Sequence, residues 1–524
     1  MYVSAVYQGD IEKRLERSYK RLTSERYHLH KVVRNEGNGG WPGDYEGRTF
    51  LALVQLWNAT GKKPEYFEKV ASLLVEWVGE KGYFGRTPKA GESDEQQLAG
   101  NSWFFRSMCE WYRKTRDPRP LRVIENAARN LLLPLAPQYD KYPCRPEDRV
   151  FEGEAAGNLT GDMINGWYTS TDIGCAYILL DGATAVYEVL KTENPSLAGE
   201  LLPVLEAMLR NYFKIDFLGI SVQTHATLSG LRGVLRFARL ENREDLVEGA
   251  KKIYALYLSQ GMSENFENFN WFGRPSWTEP CAVIDSYFVA EQLYSLTGQP
   301  QYLHLMQWIY YNGMGYDQRP NGGFGCDSCV GEVTSMLSVS APGLYEAYWC
   351  CTMRGADGLS YVAQTAAEEH QGVLTLRQLF AGRYKAQQLA FSVDTAYPAD
   401  GALTFTLEKG ALSCLQLAAV PLTGTFSAQK NGQSIPVRMA NGLAVLETSL
   451  SAGDKVTVAF ELVTEKVAPV SDTTPKSLYK MMRGPQVLGK RQAGKSSQWV
   501  PIGYSIDLTQ EEALEDQLQV LFKE

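Results

Sequence analysis

The sequence predicts an α/α toroid, a six-hairpin-like α/α barrel, followed by a β-sandwich domain. Three observations predict it. From about Asp10 to Gln364 apolar residues recur at helical spacing. The helical stretches are joined by glycine- and aromatic-rich loops such as NGGWPGDYEG and NGWYTSTDIG. After about Ala366 the texture changes to alternation with turn signals.

The helical elements run in order through FLALVQLWNATG, EKVASLLVEWVG, NSWFFRSMCEWYRKT, LRVIENAARNLLLPL, GCAYILLDGATAVYEVLK, LLPVLEAMLRNYF, LSGLRGVLRFARL and VIDSYFVAEQLYSLTG. Many end in Gly, Asn or a charged turn, the usual stop signals. Repeated hairpins of this length close most economically as a ring, with the loops crowded at one end. No strict repeat is visible, which argues against a short-period solenoid. The β-rich part follows with GVLTLRQLF, LAFSVDTAYPADGALTFTLE, LSCLQLAAVPLTGTFSA, a KNGQ turn and GLAVLETSLSAGDKVTVAFEL. From about Pro469 a strand-like GPQVLG precedes a polar, helix-prone end, LTQEEALEDQLQVLF. The predicted domains are a barrel over residues 1–365 and a β-sandwich with a β-rich C-terminal region over 366–524.

The chain has 524 residues, 44% of them hydrophobic and 11% aromatic, with 29 Tyr and 11 Trp. Such an aromatic load fills a large core or lines a groove for sugars. A net charge of -8 without a long basic run argues against nucleic acid and anionic membranes and leaves neutral small molecules and glycans. No stretch of about 18 apolar residues is present, and the N-terminus is charged too early for a secretory segment. The expected location is the cytoplasm, with a removed leader left open, as is assembly as a homodimer. The nine cysteines include an adjacent pair, which fits reduced thiols or metal ligands better than disulfides.

The strongest chemical signal is the set Glu279, Cys281, Cys350 and Cys351. Thiolates with one carboxylate suit four-coordinate Zn²⁺. In WTEPC, Pro280 disfavours the α region for Glu279, so Glu279 and Cys281 are presented just before a helix. Spacing alone balances this reading against Cys350 and Cys351 as small buried hydrophobes. Cys326 and Cys329 in GFGCDSCVGE have the spacing of a zinc-knuckle half-site and compete for Cys350 and Cys351.

Beyond these residues, SWTEPCAVIDSYFVAEQLYSLTGQPQYLHLMQWIYYNGM resembles the segment carrying the E-T-C motif of glycoside hydrolase family 127, the retaining β-L-arabinofuranosidases. YWCCTMRGADGLSYVAQ resembles that family's W-x-C-C-P-P-N block. QTHATLSGLRGVLRFARLENREDL, TAYPADGALTFTLE and KMMRGPQVLG resemble its G-H-A-x-R, Y-P-x-D-G and R-G-P segments. The resemblance implies an α/α barrel with β-sandwich material and a zinc on Glu279, Cys281, Cys350 and Cys351. It implies a retaining exo-glycosidase with Cys350 as nucleophile, acting on a glycan or oligosaccharide whose terminal sugar is, by default, β-L-arabinofuranose. It places the acid/base on a Glu upstream of E-x-C, for which Glu264 is the first choice and Glu267 the competitor. His225 falls where the family bonds the sugar, and Trp41 and Asp44 match a stretch near its pocket wall.

The chain also departs from the family. Where two further sugar-contacting histidines are expected, it offers Asn101, Trp103, Trp167, Tyr168 and Asp172, of which Trp167 and Tyr168 are expected at the sugar. C-C-P-P-N reads Cys-Cys-Thr-Met-Arg, so Arg354 is expected to face the pocket and to grip a sugar carboxylate. Two other function classes stay open. One is a sugar-binding or scaffold protein with a structural zinc, the other a uronate-directed lyase.

Overall fold

The computed structural model describes residues 3–27, 40–153, 155–325, 329–331, 337–339, 346–491, 499–507 and 518–523. Among these, twelve longer helices follow one another: α1 (Asp10–Leu22), α2 (Asp44–Thr60), α3 (Phe67–Val78), α4 (Glu95–Thr115), α5 (Pro118–Ala127), α6 (Leu179–Glu193), α7 (Pro195–Tyr212), α8 (Thr224–Glu241), α9 (Glu244–Gln260), α10 (Pro280–Thr297), α11 (Pro300–Trp308) and α12 (Cys351–Thr365). Local chemistry sets many of their ends. Asp94 caps α4 by accepting the N–H groups of Gln96 and Gln97, and Asn194 caps α7 ahead of Pro195. Gly61 and Gly298 close α2 and α10 in the left-handed conformation.

The even-numbered helices form a closed inner ring, each touching the next from α2 through α4, α6, α8 and α10 to α12 and back to α2. The odd-numbered helices pack outside them, with α1 against α12. Burial matches the placement. Inner α10 is buried continuously from Pro280 to Glu291, whereas outer α1 buries a stripe of Ile11, Arg14, Leu15, Ser18 and Leu22. Seams of the ring depend on small residues. A Cβ on Gly47 of α2 would lie 2.3 Å from the Phe104 backbone nitrogen of α4. The expected toroid is therefore present, and no helix among the described residues is long and apolar enough to cross a membrane.

Beyond α12 the chain turns to strands that pair mostly antiparallel, Cys414–Ala418 running parallel to Val373–Leu376. One seven-stranded sheet runs Ser4–Tyr7, Gly382–Lys385, Ala390–Thr395, Ala402–Lys409, Lys455–Ala459, Ser427–Lys430, Gln433–Ile435. A five-stranded sheet runs Arg438–Ala440, Leu443–Leu446, Cys414–Ala418, Val373–Leu376, Ala367–His370. Their strands bury alternate residues such as Leu403, Phe405 and Leu407, and Leu374 and Leu376, to make the sandwich core. The N-terminal strand Ser4–Tyr7 pairs with Gly382–Lys385 and so joins the far end of the chain to this sheet. The helix-prone C-terminus differs from expectation where it is described. Leu518–Gln519 and Leu521–Lys523 are strands in a third sheet with Leu478–Arg483 and Gln486–Arg491. Burial of Leu518, Val520 and Leu521 outweighs the local helical propensity.

Candidate active site

Glu279 is the N-cap residue of α10, with extended backbone (φ −121°, ψ 107°) ahead of Pro280. The proline restricts Glu279 and opens the helix, so Glu279 and Cys281 sit together at its start. Cys350 likewise caps α12, and Cys351 is its first residue. Because α10 and α12 are neighbours in the ring, the four residues meet. One ligand atom from each lies within 4.8 Å of the others. Cys281 Sγ is 3.7 Å from Cys351 Sγ, which is 3.2 Å from Cys350 Sγ. Both helix N-termini favour negative charge on these sulfurs.

The surrounding charges sort the thiols. Burial opposes ionisation of Cys281, but hydrogen bonds from the Cys350 and Cys351 thiols, with Arg48 and His225 nearby, bring its pKa well below the usual thiol value. Arg48 Nη1 is 3.3 Å from Cys281 Sγ. Cys350, donating to its neighbours, is pushed well up. These neighbours favour the thiolate at Cys281 and the thiol at Cys350, and a divalent cation bound by the cluster would relieve that competition. The donor set fits zinc. Tetrahedral Zn–S bonds of about 2.3 Å put two sulfurs about 3.8 Å apart, close to the Cys281–Cys351 separation of 3.7 Å and wider than the 3.2 Å between Cys350 and Cys351.

A buried polar frame holds Glu279. Its Oε2 accepts from Gln223 Nε2 at 3.0 Å, and its Oε1 lies 3.3 Å from His225 Nδ1. His225 Nε2 is 3.4 Å from Asp285 Oδ2. Burial alone would lower the His225 pKa, but Glu279, Cys281 and Asp285 outweigh it and raise it. Asp285 is itself fixed by Ser229 at 2.5 Å, Arg232 at 2.6 Å and Arg354. Trp103 stacks on His225 with ring centroids 5.7 Å apart, and the Arg48 and Arg354 guanidinium carbons each lie 4.4 Å from its ring centre.

A cavity of about 380 Å³ opens onto this cluster. Trp41, Trp277 and Trp349 supply its aromatic walls, and Asp44, Arg48, Asp172, Gln223, His225, Glu279 and Cys350 its polar lining. Cys350 is the one clustered thiol in that lining, whereas Cys281 and Cys351 are fully buried. His225, Trp41 and Asp44, singled out in the sequence, all line this cavity.

Other expected residues stand elsewhere. Glu264 does not line the cavity. It is fully buried in an ion pair with Lys480 at 2.7 Å and accepts the N–H groups of Val470 and Ser471. Burial favours its neutral form, yet Lys480 and these hydrogen bonds hold its pKa below the usual carboxylate range. A carboxylate so engaged is a poor proton donor, and the acid/base expectation for it is corrected. Glu267 is also absent from the lining; it bonds Asn265 and the Ser263 hydroxyl. Trp167 is buried between Tyr139 and Tyr142, its Nε1 donating to the Gln138 carbonyl, and Tyr168 donates to Glu92 at 3.2 Å under Arg86. Arg354 lies behind the site, 1% exposed, spending its charge on Asp285 and Asp357. It is not available to grip a sugar carboxylate. Asn101 is a structural brace bonded to Phe84. Cys329 is buried with its Sγ 2.9 Å from the Ser276 carbonyl, apart from the thiol cluster, and Cys326 lies outside the described residues.

The lining also holds residues the sequence did not single out for this role. Arg48 follows Asp44 by one helical turn and pairs with it at 2.8 Å. Gln223 caps α8 just before His225. Trp277 and Trp349 adjoin the ligand motifs in W-T-E-P-C and Y-W-C-C, an adjacency that was the available signal.

No protein-family profile and no curated protein matches this sequence. Solved structures do match. A GH127 β-L-arabinofuranosidase from Geobacillus stearothermophilus T6 superposes with a TM-score of 0.73 at 12% identity, covering 100% of both chains. A structure described as a glycoside hydrolase gives 0.69 at 14% identity over 100% of this chain and 96% of its own. Another GH127 β-arabinofuranosidase gives 0.65 at 13% identity over 94% and 84%. The chain has the fold of the GH127 β-L-arabinofuranosidases along its whole length.

Proposed function

We propose that the chain is a retaining exo-glycosidase that releases a terminal sugar, by default β-L-arabinofuranose, from a glycan, with Cys350 as nucleophile and zinc on Glu279, Cys281, Cys350 and Cys351. The observation that carries this reading is that Cys350 alone of the clustered thiols lines the cavity, with the other donors packed around it. The fold shared with arabinofuranosidases supports it. Zinc, when bound, would hold the Cys350 sulfur as a thiolate at neutral pH. Cys350 then attacks the anomeric carbon, the bond to the leaving oxygen breaks, and a thioglycosyl enzyme forms. Water releases the sugar in a second displacement with retention. The tryptophan walls stack on sugar faces, while His225, Gln223 and Glu279 form a rigid frame under the reacting carbon. A volume of about 380 Å³ suits one sugar unit rather than a long chain, in keeping with exo action.

A second reading, a sugar-binding protein with a structural zinc, draws on the four protein donors, which would leave the metal no open position. Metal analysis with assays on 4-nitrophenyl β-L-arabinofuranoside separates them. The glycosidase reading expects one zinc per chain, hydrolysis with retention, and loss of turnover by about 10³-fold or more in a folded Cys350→Ser. A zinc protein that cleaves no aryl furanoside, or a Cys350→Ser variant with full turnover, contradicts it.

A further inference from the structure

The glycosidase reading leaves one role empty, because the proton-transfer group expected at Glu264 is locked to Lys480 away from the cavity. The described lining of the cavity contains three carboxylates: Asp44, Asp172 and Glu279. Asp44 is paired to Arg48 at 2.8 Å. Glu279 is held by Gln223 and His225 and belongs to the donor set. Asp172 differs from both. Its Oδ2 accepts the Gly157 N–H at 3.1 Å, while its buried Oδ1 has no hydrogen-bond partner among the described residues.

The backbone around Asp172 is fixed. Its N–H donates to Ser170 Oγ at 3.2 Å and its carbonyl accepts from Cys175 at 3.0 Å. Gly157, which bonds Oδ2, has its own carbonyl tied to Trp41 Nε1 at 3.3 Å and Gln96 Nε2 at 3.2 Å. The carboxyl is therefore anchored at the cavity wall through Oδ2, with Oδ1 buried and unbonded among the described residues. A buried acceptor of this kind is costly unless something bonds it.

We propose that Asp172 is the general acid and base that works with Cys350, an inference that rests on the glycosidase reading. In the first step the sulfur pair of Cys350 forms the bond to the anomeric carbon. The pair of the breaking carbon–oxygen bond goes to the leaving oxygen, which takes the proton from the Asp172 carboxyl. In the second step the Asp172 carboxylate takes a proton from water, the water oxygen bonds the anomeric carbon, and the carbon–sulfur pair returns to Cys350. The environment suits a group that must hold and return a proton near neutrality. Burial, and then the charge of Glu279, push Asp172 up to about 7, against smaller opposing effects of the Gly157 hydrogen bond and His225, with Glu95 of α4 adding to the rise. Asp44 and Arg48 of α2 face the same cavity as a closed pair.

The test compares wild type, Asp172→Asn and Asp172→Ala on methyl and 4-nitrophenyl β-L-arabinofuranosides, with and without azide. The proposal expects kcat/KM for the methyl glycoside to fall by about 10²–10⁴-fold, with a much smaller loss on the nitrophenyl glycoside, whose leaving group needs no proton. Azide should restore turnover of the nitrophenyl substrate in the Ala variant by replacing water that lacks its base, which also shows that variant to be folded. Wild-type kcat/KM on the methyl glycoside should fall as pH rises through the Asp172 titration, and the variants should lack that alkaline limb. Equal losses on both substrates, no azide effect and an unchanged alkaline limb overturn the assignment. Absence of wild-type turnover on the nitrophenyl substrate overturns the glycosidase reading itself, and this inference with it.

Discussion

Glu264 and Asp172 are both buried carboxylates, and their neighbours send them in opposite directions. Lys480 and two backbone N–H groups keep Glu264 charged, whereas burial beside Glu279 favours the neutral form of Asp172. Sequence could not separate them. E-N-F around Glu264 matches an expected motif, but its partners Val470, Ser471 and Lys480 come from more than 200 residues away. Asp172 is legible only as a residue standing where a histidine was expected. The Glu264–Lys480 pair makes a stability prediction. Lys480→Met leaves a buried carboxylate unpaired and should cost about 3–5 kcal/mol in urea unfolding, while kcat per folded molecule stays near wild type. The lowered folded pKa of Glu264 means that its stabilising contribution is present above the unfolded value and is lost as pH falls through the folded one. Wild type should therefore lose stability in that acid range more steeply than Lys480→Met. Equal acid profiles, or a loss of turnover in Lys480→Met beyond its loss of folded protein, contradict this account.

The α10 and α12 N-termini hold the ligand set, and each motif is compact enough to be read locally. Glu279-Pro280-Cys281 and Cys350-Cys351 are near-contiguous and fall at helix starts that proline and N-cap geometry predict. Their convergence is not local, since it depends on α12 closing the ring against both α10 and α2. Arg354 shows what that hides. A position three residues beyond Cys351 reads as pocket-facing in sequence, but on the first turns of α12 it points into the ring, toward Asp285 and Asp357. Helix α2 carries Asp44 and Arg48 to the cavity, and Gly47 between them permits its contact with α4. Gly47→Ala should shift that seam, lower Tm with a cost of about 1–3 kcal/mol, and reduce turnover through Asp44 and Arg48. A variant with wild-type Tm and activity would show that the seam can relax without cost.

The whole chain places its chemistry at one end of a ring whose inner helices α8, α10 and α12 present their N-termini to a single cavity. Helical and alternating periodicity made the barrel and the sandwich legible, because each burial pattern repeats over many residues. The return of Ser4–Tyr7 to the sandwich and the strands at Leu518–Gln519 and Leu521–Lys523 were not legible, since two- to four-residue strands carry too little pattern and are fixed by distant partners. The central claim is that Cys350 bonds the sugar during turnover. Acid-quenched turnover of 4-nitrophenyl β-L-arabinofuranoside, followed by peptide mass spectrometry, tests it most directly. The account predicts one pentosyl group on the peptide containing Cys350 and none in Cys350→Ser. A pentosyl group on a carboxylate peptide such as that of Asp172 or Glu279, or turnover with inversion at the anomeric carbon, would contradict it.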